Sequence, residues 1–152
     1  MGNKPGGLYL TWLWIVGGVI ALLGIIHLAS APGVMRGVPE GVPGEYRSAF
    51  LFMFVAAGTA VLLAGVLVLW AAYGLARQWR GFWMLALVTA LFTIHLGGWA
   101  VAAMPRNPFS YGLLIAGLMV LPPLVLPLRS RPGTGAVLDF RRESSGDKRT
   151  IH

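Results

Sequence analysis

The chain has 152 residues, of which 57% are hydrophobic and 11% are charged, and its net charge is +7. With a mean hydropathy of +0.73, this composition is too apolar for a soluble domain of this size and predicts an integral membrane protein. The sequence contains no cysteine, which excludes disulfides, thiol redox chemistry and thiolate metal sites.

Four uncharged windows are long enough to cross the hydrocarbon core of a bilayer, which takes about 20 helical residues. They predict an all-α fold, a bundle of four transmembrane helices over residues 8–31, 48–76, 81–104 and 109–128. Residues 1–128 then form the membrane domain, and residues 129–152 form a basic cytoplasmic tail.

The first two helices carry small residues at a regular spacing. Seven residues separate Gly17, Gly24 and Ala31 in the first helix, and Gly58, Gly65 and Ala72 in the second. This spacing keeps the small residues on one side of each helix, where another backbone can approach closely, and favours a tight bundle. The first helix is expected to end before Pro32, and the following PGVMRGVPEGVPGEYR predicts an irregular outer cap.

The short basic turn RQWR makes the second and third helices antiparallel neighbours. The fourth helix contains Pro122, Pro123 and Pro127, which remove three backbone donors and predict a kink. Because lipid cannot bond to the carbonyls that these prolines free, we expect that side of the helix to face protein or the membrane interface. The tail is expected to be disordered alone or to lie on anionic lipid.

Basic residues divide unequally between the two sides of this topology. Nine fall on the side of both termini, and the other three are Arg36, Arg47 and Arg106. The positive-inside rule therefore predicts that both termini are cytoplasmic, with the bacterial inner membrane as the expected location. The net charge then reflects topology and contact with anionic lipids at the cytoplasmic face, and no nucleic-acid partner is expected.

Two histidines interrupt the apolar helices in the related stretches GIIHLAS and FTIHLGG. His27 and His95 lie about 4 and 9 residues before the predicted helix ends, so their depths differ by about 8 Å. Two imidazoles on facing helices could ligate one haem b, or each could ligate a chlorophyll-type pigment or hydrogen-bond a quinone. Small neighbours such as Gly24 and Gly98 would give a flat macrocycle clearance. Trp99, one turn after His95, is placed to touch such a ligand.

Metal binding is expected at His27 and His95 only if they are axial ligands of haem or chlorophyll. The competing interpretation is structural, with a histidine donating a hydrogen bond to a carbonyl of a neighbouring helix. No catalytic residue is assigned, because every carboxylate lies outside the predicted spans: Glu40, Glu45, Asp139, Glu143 and Asp147. This distribution counts against an intramembrane general base, proton relay or sodium site.

The pattern favours an accessory or anchor subunit of a larger energy-transducing membrane complex, respiratory or photosynthetic. Its partners would be the lipid bilayer and other integral membrane subunits. Two alternatives stay open: a free-standing carrier or channel for a small neutral or apolar solute, passing between the two helical hairpins, and a haem-binding membrane oxidoreductase. A non-catalytic subunit is favoured, because a chain of this size without an intramembrane acid has few ways to act alone.

Overall fold

The described residues of the chain fold as four α-helices. The computed structural model describes residues 6–79 and 81–124. Its helices are α1 (Gly6–Arg36), α2 (Gly44–Ala76), α3 (Phe82–Ala103) and α4 (Pro108–Val120). The first three are long and apolar enough to cross a membrane, and α4 is shorter. The all-helical, apolar fold is therefore confirmed, while residues 125–128 of the predicted fourth helix and the tail over 129–152 lie outside the described residues.

The connection between α1 and α2 is shorter than the sequence predicts. Helix α1 contains Pro32 and continues to Arg36, so the prediction that Pro32 ends it is wrong. The side chain of Arg36 donates to the carbonyl of Pro32 at 3.3 Å in this last turn. Helix α2 begins at Gly44, and the Arg47 guanidinium donates to the carbonyl of Val38 at 2.8 Å. The expected irregular cap is therefore reduced to residues 37–43.

The seven-residue glycine spacing builds the contact between α1 and α2. A Cβ on Gly24 would meet the backbone of Leu62, and a Cβ on Gly65 would meet the backbone of Ala21. A larger residue at either position could not be accommodated by moving a side chain, because the nearest atoms belong to the main chain of the facing helix. The predicted close approach of another backbone at these small residues is confirmed, and the structure shows that the two stripes face each other.

Glycines also join α3 to α4. A Cβ on Gly97 would lie 2.6 Å from the Cα of Leu114, and one on Gly117 would lie 2.9 Å from the backbone nitrogen of Ile94. Gly98, the next residue along α3, has open space where a side chain would stand. One face of α3 is thus packed against α4, and the adjacent face is free within the described chain.

The two hairpins meet in a core of small and branched aliphatic side chains. Helix α2 packs against α3 and α1 packs against α4, whereas α1 and α3 do not contact each other in the described part of the chain. The side chains with no exposed surface include Ile20, Val68, Ala72, Ala90 and Val120. Helices α1 and α3 therefore lie diagonally opposite each other, and each contacts both α2 and α4.

The proline-rich end of α4 is interrupted as the sequence predicts. The helix ends at Val120. Pro122 has no N–H to donate to the carbonyl of Leu118, and the N–H of Leu121 donates to that carbonyl instead, at 3.1 Å. Pro123 likewise leaves the carbonyl of Met119 without its usual backbone donor. The indole N–H of Trp12 in α1 donates to that carbonyl at 2.8 Å.

A second tryptophan binds the same end of α4. The indole N–H of Trp83 in α3 donates to the carbonyl of Leu124 at 3.1 Å. The expectation that protein covers the freed carbonyls is confirmed at Met119, and Pro127 lies outside the described residues. Trp12 and Trp83 therefore link the end of α4 to α1 and α3.

The outer surface of the bundle is apolar on every helix. Large side chains exposed there include Leu22, Phe52, Val66, Leu91 and Ile115. So much exposed apolar surface is unusual for a soluble monomer and suits a hydrocarbon environment. The charged side chains of the described residues stand at the helix ends and in the connections: Arg36, Glu40, Glu45, Arg47, Arg77 and Arg106. Both observations fit a membrane protein.

Candidate functional site

We call the end of the bundle where α1 and α3 finish and α2 and α4 begin the distal end. His27 lies nine residues before the last residue of α1, Arg36, and His95 lies eight residues before the last residue of α3, Ala103. At a rise of about 1.5 Å per residue, the two depths differ by only about 1.5 Å. The expected offset of about 8 Å is wrong, because it placed the end of the first helix at Pro32.

His27 is held between three helices. Its Nε2–H donates to the backbone carbonyl of Phe54 in α2, with an N···O distance of 3.2 Å. Its ring stacks on the Phe54 ring at 3.9 Å between centroids and 15° between planes. The Phe109 ring of α4 lies 5.0 Å away at 37°. A Cβ on Gly58 would stand 2.8 Å from Cδ2 of His27, so this glycine gives the ring its place.

These contacts bear on the haem hypothesis. The ring nitrogen that bonds to a carbonyl carries the proton, and it has no lone pair for a metal while that bond lasts. The clearance expected beside His27 is also missing at Gly24, because the backbone of α2 fills it. The contacts of His27 therefore match the structural interpretation, in which an imidazole donates to a neighbouring helix.

A cavity adjoins His27 at the distal end. Its volume is about 590 Å³, and its walls come from α1, α2 and residues 104–109. The polar side chains in its lining are His27, Ser30 and Asn107, and the remainder are apolar. This volume lies within the range of about 300–1,000 Å³ that small-molecule sites occupy.

His95 has a different environment. Its side chain is exposed on the outer surface of α3, where it meets the ring of Trp99 edge to face at 6.5 Å and 71°. Both side chains line a shallow depression of about 320 Å³ together with Gly98 and Ala102. We call these four residues the His95 face. All four belong to α3, so the other described helices do not cover them.

The structure does not bring the two histidines together. His27 faces α2 and α4, His95 faces outward, and α1 and α3 lie diagonally opposite in the bundle. One ligand shared by both imidazoles between the first and third helices stays a prediction. Trp99 does accompany His95, as the spacing of one turn predicts.

No group of three or more histidine, cysteine or carboxylate side chains able to hold a metal ion occurs among the described residues. The chain matches no protein-family model, no curated protein and no solved structure. Its function is therefore inferred from the residues of this chain.

Several residues of the His27 site have no signal in the linear sequence. Phe54 and Asn107 lie 27 and 80 positions from His27, and neither belongs to a recognisable motif. Gly58 was visible as a small residue but indicated only helix packing. One feature of the sequence does indicate the bond from Trp12 to the Met119 carbonyl. Pro123 leaves that carbonyl without a backbone donor, so a donor from a neighbouring helix is needed.

Proposed function

We propose that this chain is a non-catalytic accessory or anchor subunit of a larger energy-transducing membrane complex, respiratory or photosynthetic. The observation that carries the proposal is the His95 face. A histidine that points from a membrane helix into lipid is costly, and intramembrane polar residues normally have a protein, ligand or water partner. A further integral membrane subunit supplies such a partner.

The shape of this face suits a second helix. Gly98 has no side chain and Ala102, four residues later in α3, has only a methyl group, so another backbone can approach closely. Trp99 is 65% exposed beside them and offers a large, rigid contact surface. A helix of the partner subunit would lie along this groove and hydrogen-bond the imidazole.

The link to electron transfer comes from the ligands that intramembrane imidazoles take. Haem b, a chlorophyll-type pigment and a quinone are the candidates. His95 is open to a flat ligand held between α3 and a partner subunit. Since Nε2 of His27 is engaged with Phe54, we place haem or pigment, where the complex holds one, at His95.

The proposal includes an orientation. With nine basic residues on the side of both termini and Arg36, Arg47 and Arg106 on the other, we propose cytoplasmic termini in a bacterial inner membrane. The distal end then faces outward. The basic cytoplasmic segments would contact anionic lipids, each Lys or Arg contributing about 1 kcal/mol near the surface.

The structure favours neither alternative function. A carrier or channel between the hairpins would have to part side chains such as Val68, Ala72 and Ala90, which are fully buried. An oxidoreductase with both histidines on one haem would need both rings to face that haem, whereas His27 faces α2 and α4 and His95 faces outward. A subunit role requires neither rearrangement.

Gentle extraction of the tagged chain followed by native mass spectrometry tests the proposal. We expect wild type to retain at least one further membrane protein, and Gly98→Leu to lose it because the leucine fills the groove. Gly18→Leu is the matched control, since Gly18 of α1 also has open space around it. A wild-type chain that purifies alone, stable and monodisperse, would refute the subunit role.

Absorption spectra of the same extracts, oxidised and reduced, test the cofactor assignment. We expect any haem or pigment band to disappear in His95→Ala and to persist in His27→Ala. The reverse pattern would move the ligand to His27 and contradict the assignment.

A further inference from the structure

The cavity beside His27 has the walls of a binding site for a ring-bearing molecule. The rings of Phe50, Phe54 and Phe109 line it together with the imidazole. Phe50 and Phe54 lie 6.4 Å apart at 34°, and Phe54 stacks on His27. Aromatic walls favour a flat aromatic occupant through offset or edge contacts.

The lining of the cavity also favours a ligand with an uncharged head group and a hydrocarbon tail. Among the described residues that line it, the imidazole is the only basic side chain and there is no acidic one. A phosphate or carboxylate head group would therefore find no guanidinium or ammonium partner there. Ile26 and Met53 line the cavity and are also exposed on the outer surface. A hydrocarbon tail can thus pass from the cavity into lipid.

Its polar groups define the head group further. Because Nε2 of His27 donates to the Phe54 carbonyl, Nδ1 of the neutral ring is an acceptor. Asn107 accepts the N–H of Phe109 through Oδ1 at 3.0 Å, which leaves its amide NH₂ as a donor. One hydroxyl can donate to the first and accept from the second, whereas a ketone oxygen can only accept.

We infer that this cavity binds a neutral lipid with a hydroxylated aromatic head group, of the quinol class, whose hydroxyl donates to His27 and accepts from Asn107. The inference rests on the proposed function, because a quinol is an electron carrier of respiratory and photosynthetic membranes. His27 thereby has two roles: it fastens α1 to α2 through one nitrogen and binds the ligand through the other.

Calorimetric titration of the gently extracted full chain tests the inference. The probes are a short-chain benzoquinol, its oxidised quinone and phosphatidylglycerol. We expect wild type to bind the quinol more tightly than the quinone and not to bind phosphatidylglycerol in the cavity. His27→Phe retains a ring for the stack on Phe54 and should weaken quinol binding about tenfold, the effect of one buried hydrogen bond. Quinone binding, which does not use Nδ1, should change less than about threefold.

Two further variants keep the test decisive. Ala57 also lines the cavity, and Ala57→Phe should abolish binding of both probes by filling the space while leaving the His27 bond in place. Leu22→Phe, on the outer surface of the bundle and outside the cavity lining, should bind both probes as wild type does. Quinol binding unchanged in Ala57→Phe, or absent from wild type, would overturn the inference, as would competition by phosphatidylglycerol. Native mass spectrometry of the same samples reports partner retention, so failure of this site and failure of the subunit role are distinguishable.

Discussion

His27 and His95 occupy the same Ile-His-Leu sequence at nearly the same depth, and the fold gives them opposite surroundings. His27 is half-buried between α1, α2 and α4, bonded to a carbonyl of α2 and stacked on Phe54. His95 lies on the outer surface of α3 beside an exposed tryptophan. The neighbouring glycines differ in the same way, since Gly24 meets the backbone of Leu62 and Gly98 meets open space. The α1 residues hold this chain together, and the α3 residues are available to another molecule.

The glycines give the largest expected difference between the two regions. Gly24→Leu should destabilise the isolated chain by about 3 kcal/mol or more, because main-chain atoms of α2 cannot move aside and the helices must separate. Gly98→Leu should leave its stability unchanged. Unfolding of each variant by denaturant titration in micelles measures both effects, and equal losses would contradict the contrast.

The histidines themselves give the next largest difference. His27→Ala should lower the free energy of unfolding by about 2 kcal/mol, the sum expected from an interhelix hydrogen bond and an aromatic stack. His95→Ala should change it by less than about 0.5 kcal/mol in the isolated chain, as for other exposed positions. The same titration applies, and a larger loss at His95 would show that the assignment of inner and outer roles is inverted.

The tryptophans give the smallest expected difference in stability between the two regions. Trp12→Phe should cost about 1 kcal/mol, because the carbonyl of Met119 loses its donor. Trp99→Phe should cost nothing measurable in the isolated chain. In a Pro123→Ala background the backbone N–H of residue 123 replaces the indole, so Trp12→Phe should then cost less. A double-mutant cycle measures this coupling, and additive losses would refute it.

The sequence predicts the helices and the glycine contacts, because long apolar windows and a seven-residue spacing depend on local features of each helix. It places the end of α1 wrongly, since Pro32 is accommodated inside the helix and the turn that ends it comes later. It also cannot tell which way each histidine faces. The helices are apolar on all sides, so hydrophobic periodicity does not mark an inner face.

The sequence does not predict which groups an individual side chain contacts. The bond from His27 to Phe54 and the cavity with Asn107 depend on how helices far apart in sequence come together. Trp12 and Met119 are 107 positions apart, and only the prolines indicate that such a donor is needed.

The most direct test of the central claim is photo-crosslinking in the native membrane. The crosslinking residue p-benzoylphenylalanine would replace Trp99 on the His95 face, and in a separate control it would replace Trp14, an exposed tryptophan of α1. We predict that position 99 forms a covalent adduct with another membrane protein and that position 14 forms none. An adduct at position 14 alone, or at neither position, would contradict the claim that the outer face of α3 binds a partner subunit.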